Sequence, residues 1–595
     1  MAVKVHQRPM NKEIHKRALA LGHTELQARI LAGRIRDNEC DLNAIYSPDM
    51  RYVKHPIGLI DARKGVERIG KAMANNDTVC FLTDYDVDGV TSHSVLKRAF
   101  VDFFKYPEEK IISVIGHRIH DGYGVTESLV KRILEMPNKP AIIITADCGS
   151  SDESRIKILK ENGIDVIVTD HHAVPVEGHP VSSYATINPN RVDCPYPEKR
   201  IAGCAVAFLV MCLLRSYLNS NTFKKNNGKA WPHKIDSIAP LLSYVALGTI
   251  ADCVSMGEAV ANRTFVTDGL ALINQGIYPC WRVLEQLIGE DSKPYGSDTL
   301  GFQIGPRINA RSRLADPYAA LHYLIADTEE ESLKYLLMLD EDNKARKAIE
   351  KKMTDTAKAL ASEQNKKGYP ILVVYLDEGH SGVQGIVASR LVEAYGKPIF
   401  VLTPAAREEW VSGSGRGIEG INLRNILQAV SDRKEGLLPR FGGHSGAAGV
   451  TVLREGLDDF IELIVEETKK EVGDRELMPT VLTDGEVGVQ GITRAVLKEI
   501  EALGPYGREF DSPTFQGNFR INEIRKIGAD QNHLLMSVSY YKTTLKAIWF
   551  NCTGEDEPLP FEAQERAQMV FRISTNRYRG KETLQLMISH AEKIR

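Results

Sequence analysis

The chain of 595 residues is 43% hydrophobic and 26% charged, with a net charge of −3, which predicts a folded protein of about three or four domains and excludes a disordered or repetitive one. No apolar run nears the roughly 20 residues that cross a bilayer, and no basic start, apolar core and small-residue cleavage site mark a secretory leader. The nine cysteines include no C-x-x-C pair, which argues against a disulfide framework or a thiolate zinc site. A cytoplasmic protein without membrane contact is expected, and its near-neutral charge requires any nucleic-acid surface to be local.

The opening stretch "NKEIHKRALALGHTELQARILAGRI" reads as helical and runs into a turn-rich link around "YSPDMRYVKHP". From about Gly65 short apolar runs alternate with longer helix-like segments, the pattern of a parallel sheet covered by helices. "NSNTFKKNNGKAWPHK" is polar and reads as a surface excursion between helices. Beyond Pro317, Leu333, Leu336, Leu337, Ile349, Met353 and Leu360 recur at helix spacing, so a long helical arm is predicted. A Lys-Gly-Tyr-Pro break ends the arm, and "ILVVYLD" opens a second α/β region that finishes near Gly473. From about Leu482 the runs "LLMSVSYY", "LKAIWF", "VFRIST" and "TLQLMIS" alternate at period 2, which predicts a small β-barrel.

Four apolar runs of the first α/β region end in aspartate: "VCFLTD", "AIIITAD", "DVIVTD" and "VALGTIAD". Read as parallel strands, they would bring Asp84, Asp86 and Asp88, then Asp147, Asp170 and Asp252, to one sheet edge, with His171 and His172 beside them. Carboxylates so crowded repel one another unless divalent cations neutralise them, and a carboxylate–imidazole set without thiolates favours Mn²⁺ or Mg²⁺. Two ions sharing a carboxylate would suit hydrolysis of a phosphoester by an activated water. "DYDVDG" also fits the start of a calcium-binding EF-hand loop, but its twelfth position is Val95 in place of the bidentate Glu. A haloacid-dehalogenase-type phosphatase would match Asp86, Asp88 and Val90, yet its nucleophile ends the strand and it needs no histidine pair.

"TDYDVDGVTS", "ITADCGS", "VTDHHAVP" and "LGTIADCV" resemble, in order, the four motifs of the DHH phosphoesterase superfamily, and the long form with a terminal barrel resembles the RecJ family of single-strand-specific 5′→3′ DNA exonucleases. The resemblance implies metal ligation by Asp86, Asp88, Asp147, His171 and Asp252, with Asp147 shared between two Mn²⁺ (or Mg²⁺) ions. Asp84 is either a further ligand or a support from behind. Asp170 would orient the loop, and His172 would face the scissile phosphate. "GHSGVQGIVASRLVEAYGKP" and "FGGHSGAAGVTV" resemble the DHH-associated domain, which implies nucleotide contacts at Arg390, Gly443 and His444. Arg118 in "GHRIHDGYGV" and Ser414 and Arg416 in "SGSGRG" would receive a 5′-terminal phosphate. Arg307, Asn309, Arg311 and Arg313 in "GFQIGPRINARSRLADP" would grip the entering strand.

The final region interleaves Tyr540, Tyr541, Trp549, Phe571 and Tyr578 with Arg572, Arg577, Arg579 and Lys581, as an OB-fold that stacks bases would. The expected division is an N-terminal helical segment (1–50), a DHH catalytic domain (51–270), a helical connector with the Arg-rich bridge (271–367), a DHH-associated domain (368–475) and an OB-like barrel (476–595). The expected fold class is therefore α/β with a C-terminal barrel. The expected substrate is single-stranded DNA, cut by a monomer that works with a helicase and a single-strand-binding protein in recombination and repair. Two rivals are a DHH phosphodiesterase acting on nanoRNA, a cyclic dinucleotide or pyrophosphate, and a non-catalytic DHH scaffold on single-stranded DNA. The arm, bridge and barrel argue against the first, and the filled ligand positions against the second. Gly379 before His380, Gly417 after Arg416, and Val254-Ser255-Met256 after the fourth motif depart from the family pattern without touching a ligand. Cys148 and Cys253 are expected to be packing residues.

Overall fold

The computed structural model of the chain describes residues 3–594 other than 406, 489, 490, 542, 555 and 579; Arg579 and the side chain of Tyr578, both singled out above, lie outside the described residues. The chain divides into a larger unit, Arg8–Asp340 with Asp484–Arg595, and a smaller one made of the residues up to Gln7 with Glu341–Thr483.

At the centre of the larger unit is a five-stranded parallel sheet in the order Ile111–Ile115, Val79–Thr83, Ile142–Ala146, Asp165–Thr169, Ala185–Ile187. Both faces are covered. Val79, Phe81, Ile142, Ile144 and Ile167 pack into the main core, while Cys80, Leu82, Ile143, Val166 and Val168 pack into a second cluster. Burial on both faces is why these strands read as unbroken apolar runs. The register pairs Thr83 with Ile115 and Ala146, Ala146 with Thr169, and Thr169 with Ile187. The next residue on each strand therefore falls in one row, which runs Gly116, Asp84, Asp147, Asp170, Asn188.

The fourth aspartate-ending run is not a strand, contrary to the expectation above. Leu242–Ala251 is an α-helix, and Asp252 is its C-cap. Most of its residues are buried, and a short run that is apolar all round carries the same pattern whether it forms a buried strand or a buried helix. Asp252 thus enters the site from a helix end. Among the described residues no single helix is long and apolar enough to cross a membrane.

The terminal barrel closes in the order Phe515–Ile527, His533–Tyr540, Thr543–Trp549, Lys581–Lys593, Arg566–Tyr578. Phe571 and Tyr540 lie in its core, whereas Tyr541 is 80% exposed.

In the smaller unit the sheet order is Arg440–Gly443, Ala447–Leu453, Trp410–Arg416, Ile399–Pro404, Leu372–Tyr375. Only the last pair is parallel. The arm is a single helix, Glu329–Lys366, of 38 residues, and the division between the units falls within it. The N-terminal segment, expected to be helical, begins instead as the strand Lys4–Gln7, which pairs in parallel with Thr480–Thr483. Helices follow at Lys12–Ala20 and Glu25–Arg34.

Candidate metal centre

Each acidic side chain is fixed by the element that carries it. Asp86 caps the helix Val87–Arg98 and accepts the Gly89 N–H at 3.1 Å. Asp88, two residues on, accepts the N–H groups of Gly203 at 2.6 Å and Cys204 at 2.9 Å. Its carboxylate thereby meets the positive end of the helix Gly203–Leu218, whose own N-cap is an alanine. Asp147 follows its strand with φ +61°, a turn that swings the carboxylate across the row.

His171 stands at the centre of the cluster. Its Nε2 lies 3.1 Å from Asp147, 3.6 Å from Asp252 and 3.7 Å from Asp88. Asp170 accepts the backbone N–H groups of His171 at 2.7 Å, His172 at 3.2 Å and Ser150 at 2.9 Å. The His172 Nδ1–H donates to the same carboxylate at 2.8 Å. Fully engaged in this way, Asp170 is a scaffold for the two imidazoles. The Tyr123 hydroxyl lies 2.8 Å from His172 Nδ1 and donates to the Asp147 carbonyl at 3.3 Å. Asn188 donates to the His172 carbonyl at 2.9 Å, and Asn190 donates to that of His171.

Burial, followed by the neighbouring carboxylates, holds the carboxyls of Asp84, Asp147 and Asp252 well above the usual carboxylate range. Burial lowers His171. It also acts to lower His172, but the Asp170 hydrogen bond and charge outweigh it and raise that imidazole to about 9. Asp252 also stands at the negative end of its helix, where a carboxylate is disfavoured unless a cation is near. This crowding is the mark of a cation site, and three clusters of donor atoms, each within 4.8 Å of one another, can form one: Asp84, Asp86 and Asp147; Asp88, His171 and Asp252; Asp147, His171 and His172. Oxygen donors with imidazole and no thiolate suit Mn²⁺ or Mg²⁺. Cys148 is buried as expected, but Cys253 is exposed, with φ +56°, and does not pack.

The cationic candidates differ in their engagement. Arg118 lies over the Tyr85 ring, 4.2 Å from its centroid, and its charge acts on Asp84. Arg307 is held by Asp340 at 2.9 Å and Arg311 by Asp316 at 3.1 Å, both on the helix Gly305–Leu314. Asn309 Oδ1 on that helix is buried and has no hydrogen-bond partner among the described residues, and the charge of Arg313 acts on Tyr85. In the smaller unit Arg416 is half-buried and donates to Ser414 Oγ at 3.1 Å and to the Gly415 carbonyl at 2.8 Å. A Cβ on Gly385, in the first turn of the helix Gln384–Tyr395, would meet Arg416 Nη2 at 2.6 Å and Ser414 Oγ at 3.1 Å. A guanidinium, a hydroxyl and a helix start therefore share one spot. Gly443 has φ +127°, and His444 beside it is exposed. Arg390 is paired with Glu350 at 3.2 Å and Glu393 at 3.3 Å.

Tyr123, Asn188, Asn190 and Gly203 were not singled out from the sequence. For Asn188 and Asn190 the available signal was the "NPN" that follows the strand Ala185–Ile187, because that strand ends at the same edge.

The family models for the DHH family N-terminal domain, the DHHA1 domain and the RecJ OB domain match residues 78–249, 368–470 and 483–590. The chain is 31% identical to the single-stranded-DNA-specific exonuclease RecJ of Dickeya dadantii over 90% of its own length and 92% of the relative's. It is similar to RecJ of Thermus thermophilus solved in complex with Mn²⁺, with a TM-score of 0.76, 24% identity and coverage of 100% of this chain and 79% of the other. A second solved structure, exonuclease RecJ bound to manganese, is 28% identical with a TM-score of 0.56 and covers 70% of this chain and 97% of the other.

Proposed function

The chain belongs to the RecJ family of single-stranded-DNA-specific exonucleases, and we propose that its carboxylate–histidine cluster holds two Mn²⁺ or Mg²⁺ ions and releases 5′-mononucleotides from the 5′ end of a single strand. The observation that carries this reading is the overlap of the donor clusters: Asp147 belongs both to the cluster of Asp84 and Asp86 and to that of His171 and His172, and His171 belongs also to the cluster of Asp88 and Asp252. Asp84, Asp86 and Asp147 would hold one ion, and Asp88, His171 and Asp252 the second. When bound, such a pair neutralises the carboxylates, activates water for in-line attack and offsets charge that builds up on the phosphate.

The protein's own residues orient and bind. The Gly89 N–H and the helix start at Gly203 fix Asp86 and Asp88. With its Nδ1 held by Asp170, His172 presents Nε2 as a donor to a phosphate oxygen. Ser414 and Arg416, beside a helix start, supply donors suited to a terminal 5′-phosphate, and Arg118 supplies a cation close to Asp84. Gly443 and His444 would meet the nucleotide backbone, whereas Arg390 reaches it only by releasing Glu350 and Glu393. The helix Gly305–Leu314 would guide the strand through Asn309 and Arg313, with Arg307 and Arg311 holding its place. The barrel offers Tyr541 for base stacking. In this reading the enzyme is a cytoplasmic monomer that serves recombination and repair, fed by a helicase and a single-strand-binding protein.

Purified protein with Mn²⁺ should shorten 5′-labelled single strands to labelled mononucleotide, shorten 3′-labelled strands progressively and spare duplex. Asp147→Asn should abolish cleavage. Endonucleolytic fragments, equal attack on duplex or an active Asp147→Asn enzyme would contradict the reading.

A further inference from the structure

The segment 503–511, between the helix Arg494–Glu501 and the barrel, is pinned against the metal centre's edge. The fully buried Arg263 donates to the carbonyls of Leu503 at 2.7 Å, Gly504 at 3.1 Å and Pro505 at 3.0 Å, and lies 4.3 Å from the Phe510 ring centroid. Reciprocal backbone bonds between Gly507 and Phe510, at 3.0 and 3.2 Å, close a tight turn. A Cβ on Gly507 would strike Met256 at 2.6 Å and come within 3.7 Å of Ile250, so the turn sits directly against the residues that flank Asp252. The Met256 N–H then donates to the Arg508 carbonyl at 2.9 Å.

Arg508 is thereby delivered to the rim of the carboxylate cluster from a segment more than 250 residues away in sequence. Its side chain is exposed, and its charge opposes the upward push that burial, Asp88 and Asp86 exert on Asp252. Among the described residues the guanidinium has no hydrogen bond or ion pair. The adjacent acid, Glu509, is engaged elsewhere, by Arg200 at 2.9 Å. An exposed guanidinium whose backbone is fixed beside Asp252 and whose charge acts on that carboxylate is suited to the planar, bidentate recognition of a phosphate.

We propose that Arg508 binds a backbone phosphate of the DNA strand beside the metal centre, so that the barrel-side segment contributes a substrate-binding residue to the active site. This rests on the family reading above. The test compares full-length wild type, Arg508→Lys and Arg508→Ala with Mn²⁺ on a 5′-phosphorylated oligothymidine. Arg508→Ala should raise KM by about tenfold or more with kcat within about twofold. The salt dependence of log KM should flatten by about 0.7, the share of one phosphate contact on a single strand. Arg508→Lys should restore the salt slope but only part of KM. A single neutral methylphosphonate near the cleaved end should weaken wild type at one linkage to which Arg508→Ala is indifferent. An alanine variant with wild-type KM and salt slope, or one as sensitive as wild type at every linkage, would overturn the proposal. So would a fall in kcat and Mn²⁺ affinity at unchanged KM, which marks a structural role. Failure of the family reading is distinguishable, because then the wild type itself does not cut the strand.

Discussion

Asp147 lies in the cluster in a backbone conformation that costs a non-glycine residue about 1–2 kcal/mol, and its position depends on the absence of a side chain opposite. A Cβ on Gly203 would lie 2.8 Å from Asp147 Cβ and 2.9 Å from its Oδ1. Gly203→Ala should therefore displace the Asp147 carboxylate and lower kcat by about 10²-fold, while circular dichroism stays unchanged; wild-type activity would contradict the role proposed for Asp147. Arg416→Ala should erase any preference for 5′-phosphorylated over 5′-hydroxyl ends, as measured by competition between the two substrates. Unchanged preference would remove Arg416 from the terminal-phosphate site. That the aspartates and histidines come together was legible because residue type at short spacing marks them. Gly203, Asn188 and Asn190 were not, since what each does is set by a neighbour that only the folded sheet supplies.

Among the elements, the strands that end at Asp84, Asp147 and Asp170 were readable from their apolar runs, and their register aligns the row. The helix Leu242–Ala251 was misread as a strand because burial on every side erases its periodicity. Asp252 nevertheless reaches the cluster, so its place there did not depend on the element type. The 503–511 segment carries no motif that announces its place; its position follows from Arg263, on the helix Val260–Gln275. Burial lowers that guanidinium to about 10, so it remains charged at neutral pH. Arg263→Met should leave the carbonyls of Ile45, Leu503, Gly504 and Pro505 without their donor and cost at least about 3 kcal/mol. Urea denaturation measures the loss, and hydrogen exchange should locate it first in 503–511. A variant as stable as wild type would show that the staple is dispensable.

For the whole molecule, the barrel returns to the unit that carries the metal centre, while the strand Lys4–Gln7 joins the other unit by pairing with Thr480–Thr483. That exchange was invisible in sequence because each partner is a four-residue strand with no partner-specific signal. Buried carboxylates that repel one another predict a larger unit whose native state is stabilised by bound cations. Adding Mn²⁺ to chelator-treated protein should raise the unfolding midpoint, with a stabilisation of about 2.7 kcal/mol at 100 times the dissociation constant; no shift would count against a resident metal. The most direct measurement is anomalous diffraction at the manganese edge from crystals grown with Mn²⁺. Two peaks are predicted, one among Asp84, Asp86 and Asp147 and the other among Asp88, His171 and Asp252. A single peak, or peaks away from these residues, would contradict the two-ion site.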